Sequence, residues 1–364
     1  MKVAELLFSL LIGWSCVSDA ASPTVSNIVT TQREGTKLVD IYYDSYDQHG
    51  DNVDISVVVK VDGTPIPAEN FHGDIGMNLR PGTGKQIIWD AGSDWDKEIS
   101  PLVTFEITAD DGMGEAPPAG MVFIPGGTNG NWIQSFYMDE TEITKAKWDE
   151  VREWALTNDY SSSYLPAASA KASNHPVHSI PRTYAICWCN ARSEMEGRSP
   201  IYYSNGHVQG TSPSRPPLDS VNSSAGGFRL PTFNEFVYAG RGGLSGKLYP
   251  SGDTISLADA NFKPSTGDDS NYGYTGTVYG YHPLYEVGSL PYTSPVKSFP
   301  ANGYGLYDMA GNVREWSNQA YNTYSYYTMG GSWKDSTRYQ QCERETYSDY
   351  RYGENYIGFR CMCR

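Results

Sequence analysis

Between residues 200 and 300 the sequence runs through Gly, Ser, Tyr, Asn and Pro with little hydrophobic periodicity. So long a stretch without helix or strand signal is unusual inside a compact domain. It orders only if something other than its own secondary structure pins it. Disulfides, bound ions and aromatic packing are the devices available. No internal repeat supplies a solenoid frame, so the fold has to come from the flanking segments.

Those segments divide into two parts. Residues 22–112 carry short β-branched runs, Leu38–Tyr43, Val53–Val59, Lys85–Trp89 and Leu102–Thr108, separated by Gly/Pro/Asp turns. Strands at that spacing predict a β-sandwich, and the segment resembles an immunoglobulin-like domain. The acidic turn Asp44–Asp51 between the first two runs is read as solvated, with a calcium loop as the alternative. Residues 113–119 are a Gly/Pro-rich linker, and residues 120–364 form the second domain. In it, Trp148–Leu156 predicts an amphipathic helix with Thr144 as its cap and Lys145 opening the turn. A second helix is expected over Thr183–Glu196. The fold class is therefore β-rich α+β.

Residues 1–20 read as a secretory signal peptide: Lys2, an apolar run from Leu6 to Ile12, and small residues at Ser18 and Ala20. The apolar run is short of the roughly 20 residues that span a bilayer. Cleavage near Ala20 removes Cys16, and the protein is expected to be secreted, extracellular or at the cell surface. Five cysteines then remain, Cys187, Cys189, Cys342, Cys361 and Cys363. In an oxidising compartment disulfides are the default, and an odd count leaves one thiol free or paired between chains. A thiolate metal site is the alternative, although zinc usually takes C-x₂₋₄-C spacing rather than two C-x-C pairs.

A formal charge of −15 and a pI near 4.8 argue against nucleic acid or an anionic membrane surface as partner. Tyrosine is the outlier, with 28 residues against 11 Phe and 9 Trp. That excess fits a recognition surface, since tyrosine combines rigid contact area with a polar tip. It fits equally a loop-rich fold with half-buried aromatics.

An ordered set of segments carries a family resemblance. It begins with Gly120-Met121-Val122-Phe123-Ile124-Pro125-Gly126-Gly127 and Met138-Asp139-Glu140-Thr141-Glu142-Ile143-Thr144, followed by Asn174-His175-Pro176-Val177. Then come Gly227-Phe228-Arg229-Leu230-Pro231-Thr232 with Glu235, Asn302 to Trp316, Gly330-Gly331-Ser332-Trp333, and Ile357-Gly358-Phe359-Arg360-Cys361. Together they resemble the formylglycine-generating enzyme (sulfatase-modifying factor) family, a variant of the C-type-lectin-like fold.

The resemblance implies structural calcium. The family loop matching Asp308–Glu315 binds calcium through side chains at Asp308 and Glu315 and carbonyls at Gly311 and Val313. Such a loop suits an ion that takes six to eight oxygen ligands. The alternative is an acidic turn satisfied by backbone N–H groups. A second family site starts at Ala260-Asn261-Phe262, giving Asn261 and Phe262 as candidates. The resemblance also implies a Cys187–Cys361 disulfide, which would contribute on the order of 4–5 kcal/mol by closing a long loop. The family's other bridge is absent, because Ala239 stands at one of its positions.

The resemblance does not carry the activity. Family members hold Cu(I) with cysteines three and eight residues after the Gly-Gly-Ser serine. Here those positions are Asp335 and Gln340, hard oxygen donors that do not select a soft ion. Copper is not expected. A related branch binds non-haem iron through a His-x₃-His-x-Glu pattern, and none of the six histidines has that spacing. His175 and His178 are the nearest pair, and His175 matches a family structural position rather than a ligand. The expected function is a secreted non-catalytic binding or structural protein, possible also as a self-assembling extracellular subunit; a metal-dependent oxidase is the alternative. Trp333, Asp335, Arg338, Tyr339, Gln340, Arg344 and Tyr347 are the candidate recognition residues, for an extracellular protein, a glycan or a second copy of the chain.

Overall fold

A computed structural model describes residues 22–94, 103–113, 117–204, 207–208, 210–211, 220–222, 225–266 and 269–364. The signal segment 1–20, and parts of the linker and of the 200–300 stretch, lie outside the described residues.

The first domain is a two-layer antiparallel sandwich. Its strands are β1 (Thr24–Gln32), β2 (Leu38–Tyr46), β3 (Val53–Val61), β4 (Thr64–Pro65), β5 (Phe71–Gly73), β6 (Gly76–Leu79), β7 (Gly82–Asp90) and β8 (Val103–Asp110), with the short α1 (Ala91–Asp94) after β7. One sheet runs β1-β2-β7-β5; in the other, β3 pairs with β8 along its length and shares its opposite edge between β4 and β6. Alternation along the strands turns Ile41, Tyr43, Ile87 and Trp89 of the first sheet towards Val53, Ile55, Val59 and Ile107 of the second. All four strands expected from the sequence are present. β1 was missed: its residues are almost all exposed, so it has no core face to give an alternating signal.

The Asp44–Asp51 turn is solvated only at Tyr46, Gln48 and Gly50, which corrects the expectation for its acidic end. Asp47 and Asp51 are buried. Asp47 Oδ1 closes the turn by accepting the His49 and Asp51 N–H groups at 2.9 and 2.8 Å. Asp51 accepts the Ser135 N–H of the second domain, and the His49 ring lies 4.8 Å from Phe123. A Cβ on Gly126 would come within 2.7 Å of the Asp51 carboxylate, so only glycine permits this approach. At the far end of the chain, Arg364 donates to the carbonyls of Asp111 and Ser135. Met113, at the start of the linker, packs in the second domain's core.

The second domain opens with β9 (Met121–Ile124), the hairpin β10 (Gly127–Asn129) and β11 (Asn131–Ile133), and β12 (Phe136–Asp139). Two helices follow, α2 (Lys145–Leu156) and α3 (Arg182–Met195). Thr144 caps α2 through the Lys147 N–H as the sequence indicates. The helices meet through a parallel stack of Trp148 on Trp188, with Phe359 edge-on to both. Next come β13 (Tyr202–Ser204), β14 (His207–Val208), β15 (Ser220–Val221) and α4 (Phe233–Arg241). The last strands are β16 (Arg314–Asn322), β17 (Ser325–Met329), β18 (Thr346–Asp349), β19 (Ile357–Gly358) and β20 (Met362–Cys363). They form a sheet β18-β17-β16-β19, while β20 joins β12 and β9.

Aromatic packing is what pins the irregular stretch. Tyr249, Ile255, Ala260, Phe262 and Tyr274 make a small core of their own. Tyr281 and Tyr292 pack on Trp333, each 5.7 Å away. The frame is thus anchored to the Gly-Gly-Ser-Trp segment from the C-terminal sheet.

Candidate functional site

The Asp308–Val313 loop turns sharply, with Asp308, Gly311 and Asn312 all at positive φ. At Gly311 a Cβ would sit 2.4 Å from the Asn261 carbonyl oxygen, so the two predicted calcium segments touch through a glycine. Asn312 holds them together: its N–H donates to the Asn261 carbonyl, its side-chain amide donates to Glu142, and its Oδ1 accepts the Ser294 N–H. Glu142 also accepts the Val313 N–H at 2.9 Å. Sequence reading quoted Glu142 and Asn312 only as parts of motifs. Their roles are non-local and leave no local pattern.

Three carboxylates, Glu142, Asp308 and Glu315, are buried here with one guanidinium, Arg360. Arg360 takes both Glu315 oxygens at 2.8 Å and donates to the Tyr307 carbonyl. Asp308 Oδ2 accepts the Lys297 N–H, while Asp308 Oδ1 is buried with no hydrogen-bond partner. Asn261 Oδ1 is in the same state, although its amide nitrogen donates to Tyr292. Burial, then repulsion from Asp308 and Glu315, raises the Glu142 carboxyl well above its ordinary range. Burial pushes Asp308 up to about 6 against the pull of the Lys297 N–H and Arg360. Burial also raises Glu315, opposed by Arg360.

Buried carboxylates with one counter-charge among them and two orphaned oxygens suit an added cation. Asp308 and Asn261 fit calcium on this test. Glu315 fits less freely, since Arg360 already compensates it. Among the described residues no three His, Cys, Asp or Glu side chains form a metal-holding group. A calcium ion here would therefore draw on carbonyls, with Gly311, Val313 and Phe262 the sequence candidates.

The positions of the family's copper ligands hold an ion pair instead. Asp335 pairs with Arg314 through two contacts of 2.8 and 2.7 Å and accepts Ser332 Oγ. Gln340 is fully buried and donates to the carbonyls of Asp335 and Ser336. Cys342 points elsewhere, into a core of Phe236, Met309, Met329 and Met362, where burial pushes its thiol up to about 12. Of the two histidines, His175 is bonded to Thr293 Oγ1, and burial holds His178 down at about 4.

Two expectations are corrected. Cys189, not Cys187, faces Cys361, with sulfurs 3.2 Å apart. Residues two apart on a helix point about 200° apart, so only one of them can face the C-terminal strand. Cys187 lies instead beside the Gly210 turn. The candidate recognition residues also divide. Trp333, Asp335 and Gln340 are buried and form the support of the segment rather than its surface. Arg338, Tyr339, Arg344 and Tyr347 remain accessible in differing degree. Tyr347 is 52 % exposed and stacks on the exposed Tyr321 of β16, with ring centroids 4.0 Å apart and planes 5° from parallel. Arg344 sits against Tyr339, and Arg351 against Tyr324 and Tyr352. Sequence reading missed Tyr321 because it lies outside the 333–350 segment and reaches the surface patch across the sheet.

Three short helices, several small sheets and a long loop region held by aromatic packing define a β-rich α+β domain of formylglycine-generating-enzyme type, carried behind an antiparallel sandwich. A profile of the sulfatase-modifying factor enzyme 1-like domain matches residues 108–364, and the chain belongs to that family. The chain is 31% identical over 198 residues to "Chaperone protein LppX" of Paenibacillus barcinonensis, covering 50% of this chain and 62% of that one. It is 36% identical over 117 residues to "Inactive C-alpha-formylglycine-generating enzyme 2" of Bos taurus, covering 30% of this chain and 34% of the other. The matched stretch thus spans less than two thirds of either relative's length. Among solved structures, CarF superposes with a TM-score of 0.54 at 25% identity, over 68% of this chain and 99% of that one. No helix among the described residues is long and apolar enough to cross a membrane.

Proposed function

We propose that this protein is a non-catalytic binding or structural protein of the extracellular space, built on the family scaffold and stabilised by calcium. The observation that carries the reading is the Arg314–Asp335 ion pair beside the buried Gln340. Where the oxidase needs two soft thiolates, this chain has hard oxygen donors, and the carboxylate among them is already paired with Arg314. The other nearby sulfur, Cys342, is protonated and packed in a core.

Recognition falls in this reading to the tyrosine-arginine face of β16–β18, centred on Tyr321 and Tyr347. Paired aromatics of low side-chain entropy, Tyr321 on Tyr347, suit a protein or glycan partner, or a second copy of the chain. The immunoglobulin-like sandwich acts as spacer. Calcium at Asp308 and Asn261 supplies the cation that the buried carboxylates lack, at the concentrations found outside cells.

The deciding experiment is an anaerobic Cu(I) titration of the full-length protein with a cysteine-containing peptide present, beside metal analysis of protein purified without chelator. Calcium without copper is expected. Stoichiometric Cu(I) binding with O₂ turnover would overturn the non-catalytic reading, and the metal-dependent oxidase would take its place.

A further inference from the structure

Charge is unevenly divided along the chain. Residues 22–112, the sandwich, hold 16 acidic side chains against 6 basic ones, whereas residues 120–364 hold 23 against 20. The molecule is therefore electrically polarised, strongly acidic at one end and close to neutral at the other. Within each part, one surface gathers charge of a single sign that has no partner.

On the second domain that surface lies around Trp333. Tyr281 and Tyr292, which pack on Trp333, each carry a lysine: Lys263 Nζ stands 4.2 Å from the Tyr281 ring centroid and Lys171 Nζ 5.6 Å from that of Tyr292. Lys334, next in the chain, stands 3.4 Å from the Tyr356 centroid. None of the three makes an ion pair among the described residues. The carboxylates that act on Lys334 at longer range are Asp335, already held by Arg314, and the exposed Glu354. Lys171 also donates to the Val287 carbonyl at 2.8 Å. That bond ties to the same face an aliphatic ridge of Leu284, Val287 and Leu290, each more than half exposed. Glu286 lies in the ridge and pairs with none of the lysines. An exposed apolar ridge rimmed by free charge is the signature of a protein contact.

On the sandwich, Asp54 of β3 and Asp110 of β8 stand directly opposite each other in register. Both are exposed; each accepts one backbone N–H, from Asn78 and Gly112, and neither pairs with a cation among the described residues. Like charges so placed cost a sheet stability, which a cationic partner relieves. Val58, on the same face of β3, and Met77 of β6, next to Asn78, add exposed apolar area beside them.

We propose that copies of this protein associate end to end, the Asp54–Asp110 surface of one sandwich docking on the lysine face around Trp333 of the next copy. The two surfaces differ, so the contact is heterologous and propagates into a chain or closes into a ring. The net charge of −15 on each copy does not forbid it. Repulsion between distant charges is screened beyond about 8 Å at physiological ionic strength, and the docked surfaces meet with opposite signs. This adds a contact to the sandwich's role as spacer, and it holds whether or not the separate tyrosine face of β16–β18 binds a partner.

The experiment is sedimentation velocity of the full-length protein over a concentration series, in low and in high salt. Species larger than the monomer are expected to grow with concentration in low salt and to be lost in high salt. Lys171→Glu/Lys263→Glu/Lys334→Glu and Asp54→Lys/Asp110→Lys reverse the charge of one surface each, and either variant alone should stay monomeric. Mixing the two variants restores opposite signs at the contact, so the mixture should associate. Circular dichroism checks that both are folded; should one not be, the single exposed change Lys334→Glu, expected to weaken association severalfold, carries the test with the wild-type salt response. A wild type that is monomeric at every concentration, association unmoved by salt or by the reversals, or a mixture that stays monomeric would each overturn the inference. So would association lost in Tyr321→Ala/Tyr347→Ala and kept in the lysine variant, which would place the contact on the tyrosine face.

Discussion

Asp51, from the turn between β2 and β3, accepts the backbone N–H of Ser135 through both carboxylate oxygens, at 2.9 and 3.1 Å. The contact joins residues 84 apart in the chain, with no exposure of Asp51, and it fixes the sandwich against the second domain. Removing the acceptor leaves a buried amide unpaired. Asp51→Ala is therefore expected to destabilise the protein by about 2–3 kcal/mol, and Asp51→Asn, which keeps one acceptor, by less. Urea unfolding followed by intrinsic fluorescence measures both; equal losses would contradict the role given to the second oxygen.

Arg229 and Glu235 form a half-hidden pair with two contacts of 2.8 and 2.6 Å, and Glu235 also caps α4 through Thr232. Burial acts to raise the Glu235 carboxyl, but Arg229 and the Thr232 donors bring it down to about 2. A depressed carboxyl contributes stability above its unfolded value and loses it as pH falls through the folded one. The loss is expected between about pH 4.5 and pH 2 and amounts to at most about 3 kcal/mol. Glu235→Gln should flatten that part of the stability–pH curve while leaving the acid titration of other groups in place.

The juxtaposed sulfurs of Cys189 and Cys361 predict a disulfide in protein prepared under oxidising conditions. Peptide mapping by mass spectrometry should recover the 189–361 cross-link and no 187–361 link. Cys189→Ser is expected to cost about 2–5 kcal/mol under those conditions. Cys187→Ser should leave the cross-link intact.

Calcium in the 308–315 cluster would act by binding the folded state alone, so its removal should lower the melting temperature. EGTA is expected to produce that fall in the wild type. Asp308→Ala, which removes an orphaned buried oxygen, should abolish the response. An EGTA effect of unchanged size in the variant would place the ion elsewhere.

The sequence made the sandwich strands legible where one face is buried, and β1 illegible because nearly all of it is exposed. The α2 cap at Thr144 could be read directly. The start of α4 is legible in the same way, since Thr232 and Glu235 form a capping box. The disulfide phase was not legible. Every residue from Ala185 to Ser193 is buried, so α3 has no polar face to say which way Cys187 and Cys189 point. The Asp47–Asp51 turn looked solvated because its cover comes from another domain. Within the candidate site, Asp308 and Asn261 were legible as motif residues. Glu142 and Asn312 were not, because their bonds join segments about 170 residues apart.

That same enclosure of α3 reaches beyond the helix. A segment clothed in neighbours on every side has no stable half-built form, because any fragment containing it would expose Ile186, Cys187, Trp188 and Cys189 and strip Arg182 and Arg192 of their partners. The domain should consequently resist being shortened from either end: losing the segment from Phe359 to Cys363 would strip cover, Cys361 included, from a helix more than 160 residues upstream. Truncations that stop before Arg360 are accordingly expected to aggregate rather than yield a smaller soluble domain.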